Sequence, residues 1–123
     1  MQRIEDEYVS FESAKMLKKA GFNWYTKNHY SAKGDFVYSV NSKDWNAVEY
    51  LGLYSAPTLS FAARWLREVC NTHISIDWGI DGYEFTFEIK HADGLFSERP
   101  YYECYPTYEE CLEEGIKAVL ENL

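Results

Sequence analysis

Cys70 and His73 stand in a Cys-x2-His spacing, which is half of a metal site. A structural zinc centre needs a second such pair. The remaining candidates, His29, His91, Cys104 and Cys111, are scattered, with no Cys-x2-Cys among them. Cys70 and Cys111 also fall on the apolar stripes of two expected helices, where cysteine packs as a small hydrophobe. Neither a metal nor a cofactor is expected. Asp77, Glu84 and Glu88 share the polar face of one hairpin, so a general acid and base are available there in principle. That chemistry needs a cleft to raise one carboxyl group, which an open sheet face does not supply. Charges at a sheet margin are better explained as protection against aggregation.

Nucleophilic catalysis has no support either. There is no G-x-S-x-G and no Cys–His pair whose proximity follows from spacing. "KGDF" and "WGIDG" lack the spacing of a phosphate loop or a dinucleotide site. Arg64 and Arg67 could hold an anion or a partner's carboxylate, yet solvated arginines on an outer helix face are ordinary. The "EECLEE" run offers an acidic docking face, but its glutamates also suit the positive end of a helix dipole, and Glu113 can pair with Lys117. No catalytic, cofactor-binding or metal-binding residue is assigned.

Three helices and a hairpin must position these residues. "SFESAKMLKKAGF" reads as a helix capped by Ser10, with Phe11, Ala14, Leu17 and Ala20 on one face and Lys15, Lys18 and Lys19 turned away. Gly21 ends it. In "YSAPTLSFAARWLREV", Pro57 disfavours helix at Ala56, and Thr58 caps a helix that begins at Leu59. Steps of about 100° gather Leu59, Ala62, Ala63, Trp65, Leu66, Val69 and Cys70 into one stripe opposite Ser60, Arg64, Arg67 and Glu68. The Pro-Thr-initiated run describes packing, not chemistry. The last helix opens at "PTYEE", where Thr107 and Glu110 have capping-box spacing. Cys111, Leu112, Ile116 and Val119 make its buried face, with Gly115 between them for close approach.

"HISIDWGI" and "YEFTFEIK" alternate apolar and polar residues on either side of Asp81-Gly82. A two-residue type I′ loop at Asp81-Gly82 would set Trp78 against Phe85 and Asp77 against Thr86. A loop spanning residues 79–82 keeps the same faces but sets Asp77 against Glu84. The like-charge pair makes the first register the expected one. Further strands are expected at "DFVYSV", with Phe36, Tyr38 and Val40 on one side, and in "AVEYLGLY", although Gly52 argues against the latter. Short strands are conceivable at residues 24–27 and 101–104, the latter within a loop that covers "HADGLFSERPYYECY". The expected architecture is one α+β domain over residues 1–123. Its antiparallel sheet has three to four strands, three helices pack on one face, and the order is αββαββα.

Composition restricts the function classes. Of 123 residues, 18% are aromatic, including 11 Tyr and 4 Trp. A small domain cannot hide so many amphipathic rings, so some aromatic surface is expected, and such surface is what protein interfaces use. Net charge is -8, with six Lys/Arg against four Asp/Glu up to Gly34, four against nine over residues 35–97, and two against seven over 98–123. Such a balance repels nucleic-acid backbones, so no direct nucleic-acid binding is expected. No apolar run reaches the roughly 20 residues of a membrane span, and the N-terminus lacks the apolar core of a signal peptide. An odd number of irregularly spaced cysteines, 3 in all, points to a reducing cytoplasm and free thiols.

"SFESAKMLKKAGF", "YSAPTLSFAARWLRE", the His-Ile-x-Ile run at residues 73–76 and "TYEECLEEGIKAVLENL" together resemble a family of small uncharacterised proteins of gut Bacteroides-type bacteria and their phages or mobile elements. The matching pieces cover about half of the chain in order. The resemblance implies an α+β domain with three helices and a cytoplasmic setting, and carries no activity and no site residues. The expected function is a non-enzymatic protein-binding or accessory module that engages a protein partner through Tyr/Trp surface. The alternative is an acidic nucleic-acid mimic that blocks a DNA-binding protein, and third comes a small enzyme with no recognisable motif.

Overall fold

The computed structural model describes residues 7–48, 51–91, 93–98 (backbone only for 95–98) and 103–123. The fold is α+β, with three α-helices and two small antiparallel sheets among the described residues. Two compact units form, residues 1–61 and 62–123.

The first unit contains α1 (Phe11–Lys19) and strands β1 (His29–Tyr30), β2 (Phe36–Val37) and β3 (Tyr54–Ser55), joined in the order β2-β1-β3, with a 3-10 turn at Trp45–Ala47. Ser10 caps α1 by accepting a hydrogen bond from Ser13 N at 3.1 Å. Ala14 and Leu17 are buried, and Phe11 and Ala20 are half-buried. Lys18 departs from the expected outward position. Its Nζ donates to Leu53 O at 2.9 Å and lies 4.8 Å from the Tyr54 ring centre, because a long stem can lie along apolar surface while its head finds a carbonyl. The two-residue strands are stitched together by side chains. Asn46 donates to Phe22 O and accepts from Ser55 N, both at 2.9 Å, and Trp45 Nε1 donates to Thr26 O at 2.7 Å.

The second unit carries most of α2 (Leu59–Val69), followed by β4 (Thr72–Gly79), β5 (Gly82–His91), β6 (Gly94–Glu98) and α3 (Tyr108–Glu121). α2 opens in the first unit, where Thr58 Oγ1 accepts from Phe61 N at 3.2 Å and Leu59 N donates to Glu7 O at 2.9 Å. Leu59, Ala62, Ala63, Trp65 and Leu66 are buried as the stripe requires, and Cys70 is half-buried. Val69 is exposed, since the apolar stripe of the last turn runs beyond the core. α3 begins where Thr107 Oγ1 accepts from Glu110 N at 3.1 Å, and it buries Cys111, Leu112, Gly115, Ile116 and Val119. Gly115 is where α3 meets the sheet. A β-carbon there would lie 3.1 Å from Ile74 Cγ2 and 3.4 Å from the Phe85 ring.

Several expectations need correcting. Among the described residues the strands form two sheets of three strands each, in orders β2-β1-β3 and β4-β5-β6, and not one sheet. "DFVYSV" contributes only Phe36–Val37, and Tyr38 and Val40 are exposed, because β2 has just two residues to pair with β1. Residues 24–27 make one bridge, Thr26 to Lys43, rather than a strand, while residues 94–98, read as loop, pair with β5. Of "AVEYLGLY" only Tyr54 enters a ladder among the described residues, as the first residue of β3 (Tyr54–Ser55); residues 49–50 and 101–102, on which parts of the remaining strand expectations fall, lie outside the described residues.

A further correction concerns the hairpin. Gly79 pairs with Gly82, Asp77 with Glu84 and Ile74 with Phe87, so Ile80-Asp81 forms the loop and the register is the alternative one. Neither loop residue has positive φ, which excludes the primed turns. Gly82 instead has φ +128°, and the backbone of Tyr83 exchanges two hydrogen bonds with Tyr105, at 2.9 and 2.8 Å. This bridge fastens the start of β5 to the segment before α3, against a like-charge cost of a few tenths of a kcal/mol at Asp77 and Glu84.

Candidate functional site

The sequence candidates for chemistry are not drawn together. Among the described residues no group of three or more His, Cys, Asp or Glu side chains could hold a metal ion. Cys70 is half-buried at the end of α2, whereas His73 is exposed on β4. Asp77, Glu84 and Glu88 do share one sheet face, but Asp77 and Glu88 stand in solvent and Glu84 accepts a hydrogen bond from Cys104 Sγ at 3.4 Å. Arg64 pairs with Glu68 at 3.0 Å on the outer face of α2, and Lys117 pairs with Glu114 at 3.7 Å.

His29 is the histidine with a built environment. Its ring stacks on Trp45 at 4.1 Å and its Nδ1 lies 3.3 Å from Ser39 Oγ. Burial lowers its pKa below the ordinary imidazole value, which favours the neutral ring. A serine beside a neutral imidazole is the start of a nucleophile–base pair. Ser39 N also donates to Asn28 Oδ1 at 3.1 Å, which holds this segment beside the ring. The stack reads as packing.

The thiols differ sharply in environment. Cys104 is exposed, Cys70 is half-buried, and Cys111 is buried. Desolvation pushes the Cys111 thiol up to about 11, with Cys104 adding to the rise, and burial also raises Cys70. Thiolate is the reactive form, so alkylation of the native protein should proceed first at Cys104 and last at Cys111. Under denaturing conditions without reductant all three should titrate. Fewer than three free thiols, or early modification of Cys111, would contradict this.

A further feature is aromatic. In the first unit Tyr8, Tyr25, Ala56, Pro57 and Phe61 wall a cleft of about 250 Å³, with Thr26, Lys27, Asn28 and Thr58 at its polar positions. Two of the walls, Tyr8 and Phe61, are fixed from behind. Tyr8 sits in a segment held by Val9 N donating to Pro57 O at 3.0 Å and by the bridge to Thr58. Phe61 is braced by Trp24 and Phe22, with ring centres 5.1 and 6.5 Å away. From Tyr8 a run of rings continues outward, to Phe36 at 5.0 Å and on to Tyr38 at 4.8 Å. Tyr8, Tyr25 and Tyr38 are 38%, 67% and 79% exposed, so the rings present faces to solvent instead of closing a core. No family model, curated protein or solved structure matches the chain.

Charge separates the two units. Residues 1–61 hold seven Lys/Arg and seven Asp/Glu, whereas 62–123 hold five and thirteen, so the whole net charge of -8 belongs to the second. Lys27 is the one charged side chain lining the aromatic cleft among the described residues. An apolar, ring-walled cleft with a single cation on its rim can grip an extended chain by its apolar side chains and orient it by one carboxylate. Sequence reasoning anticipated aromatic surface but not this cleft, since its walls come from residues 8, 25, 56–57 and 61.

Proposed function

We propose that this chain is a non-enzymatic binding module of the bacterial cytoplasm that takes an extended, apolar and acidic segment of another protein between Tyr8 and Tyr25. The observation that carries the reading is the cleft itself: aromatic walls, preformed, with Lys27 alone charged among the described residues. Tyr and Trp are enriched and charges depleted where proteins meet, and aromatic-lined grooves suit extended segments whose conformation is already restricted. Among the described residues no helix is long and apolar enough to cross a membrane. The resemblance to proteins of Bacteroides-type bacteria and their mobile elements supports the cytoplasmic, phage- or element-borne setting.

The test is panning of a displayed peptide library against the whole chain, followed by affinity measurement. Selected peptides should share a proline or aromatic residue next to Asp or Glu. Tyr25→Ala should weaken them about ten-fold or more, as loss of an aromatic anchor does. Trp78→Ala, which removes an exposed ring in the other unit, should leave affinity unchanged. An unaffected Tyr25→Ala would end the proposal. The charge of residues 62–123 supports a second reading, the acidic mimic, for which the selected partner would be a DNA-binding protein whose capture falls steeply with salt.

A further inference from the structure

We propose that two copies of this chain pair edge to edge through β4, about a two-fold axis at Ser75. Among the described residues β4 is the outer strand of its sheet, eight residues long. Its backbone polarity follows from two observations: Lys90 N donates to Asn71 O at 2.9 Å, and Tyr83 spends its backbone bonds on Tyr105. Alternate residues of an antiparallel strand bond to alternate sides. The even-numbered residues of β5 therefore face β4, and they meet the odd-numbered residues there. Thr72, Ile74, Ile76 and Trp78 then direct their N–H and C=O groups away from β5. Among the described residues these groups have no backbone partner.

Natural edges of this length are ordinarily broken by lysine, proline or a bulge. β4 has none of these, Asp77 being its one carboxylate, and Trp78 is 81% exposed at its end. What it carries is self-complementary. About Ser75, Ile74 meets Ile76 of the second copy in a hydrogen-bonded pair, and Thr72 meets Trp78. His73 meets Asp77 in a non-hydrogen-bonded pair, the closer of the two kinds. Moving the axis to Ile74 or Ile76 keeps the backbone bonds but sets His73 or Asp77 against serine. The pairing of an imidazole N–H donor with a carboxylate thus selects one register. Asp77 also stands opposite Glu84 within the chain, a like-charge pair that a histidine arriving from the second copy would relieve. The second copy is accordingly the occupant that fits, and pairing would join the two sheets into a continuous six-stranded one.

Sedimentation of the whole chain over a concentration series tests this. The wild type should show a reversible dimer with a dissociation constant of about 1–100 μM, as suits a small interface. Asp77→Lys should weaken dimerisation about ten-fold by losing both His73–Asp77 pairs, while its melting temperature holds or rises because the new ammonium would face Glu84. Adding His73→Asp to that variant should restore the dimer, since the pair is then reversed. A monomeric wild type would overturn the proposal, as would an Asp77→Lys dimer of undiminished affinity. So would a double variant that fails to recover.

Discussion

Gly82→Val is expected to destabilise the protein by about 2–4 kcal/mol, although Gly82 belongs to a surface hairpin. A β-carbon at Gly82 would lie 2.6 Å from the carbonyl oxygen of Tyr105 and 3.3 Å from its carbonyl carbon. Backbone cannot swing aside as a side chain can, so relief requires breaking the paired bonds between Tyr83 and Tyr105. The φ of +128° adds strain that any β-branched residue increases. Gly79, across the same turn, supplies the control. It has no positive φ, and its added β-carbon would meet the Gly82 oxygen at 3.7 Å, an ordinary contact. Gly79→Ala should therefore stay within about 0.5 kcal/mol of wild type. Equal losses at the two glycines in chemical denaturation would show that the Tyr105 contact does not govern the site.

The second large effect is expected at Leu66, which is fully buried on α2. Leu66→Ala should cost about 2–5 kcal/mol, the sum of lost transfer free energy and the cavity left behind. Arg64, two residues earlier, points outward, and its pair with Glu68 has side chains 58% and 52% exposed. Solvent screens such a pair, so Arg64→Ala should cost no more than about 0.5 kcal/mol. The contrast is read from paired denaturation midpoints. Similar costs at both positions would mean that the helix is rotated relative to its buried face.

What was legible in the sequence was local. Ser10, Thr58 and Thr107 each accept the hydrogen bond expected of a cap, because capping is decided within four residues. The faces of α2 and α3 followed from periodicity, and failed only at Val69, where exposure depends on where the core ends. The faces of the hairpin were also legible, but its register was not. Both registers keep Ile74, Ile76, Phe85 and Phe87 on one side, and the clamp associated with the observed register comes from Tyr105, more than twenty residues further on. Strands of two residues, such as His29–Tyr30 and Phe36–Val37, have no period to read. Their places are set by Asn28, Trp45 and Asn46 bonding across loops, which spacing does not encode. The same holds for the aromatic cleft: Tyr8, Tyr25 and Phe61 are brought together by the bridge from Tyr8 to Thr58 and by Trp24 behind Phe61. The composition foretold rings at the surface, and the fold decides which of them form a wall.

The most direct measurement is backbone amide shift mapping of the whole chain on titration with a selected proline- or aromatic-containing acidic peptide. Binding in the Tyr8–Tyr25 cleft predicts saturable shifts concentrated at residues 8, 25–28, 56, 58 and 61, with residues 72–91 and 108–121 unmoved. Shifts centred on the acidic second unit, or none outside the noise at saturating peptide, would contradict the account.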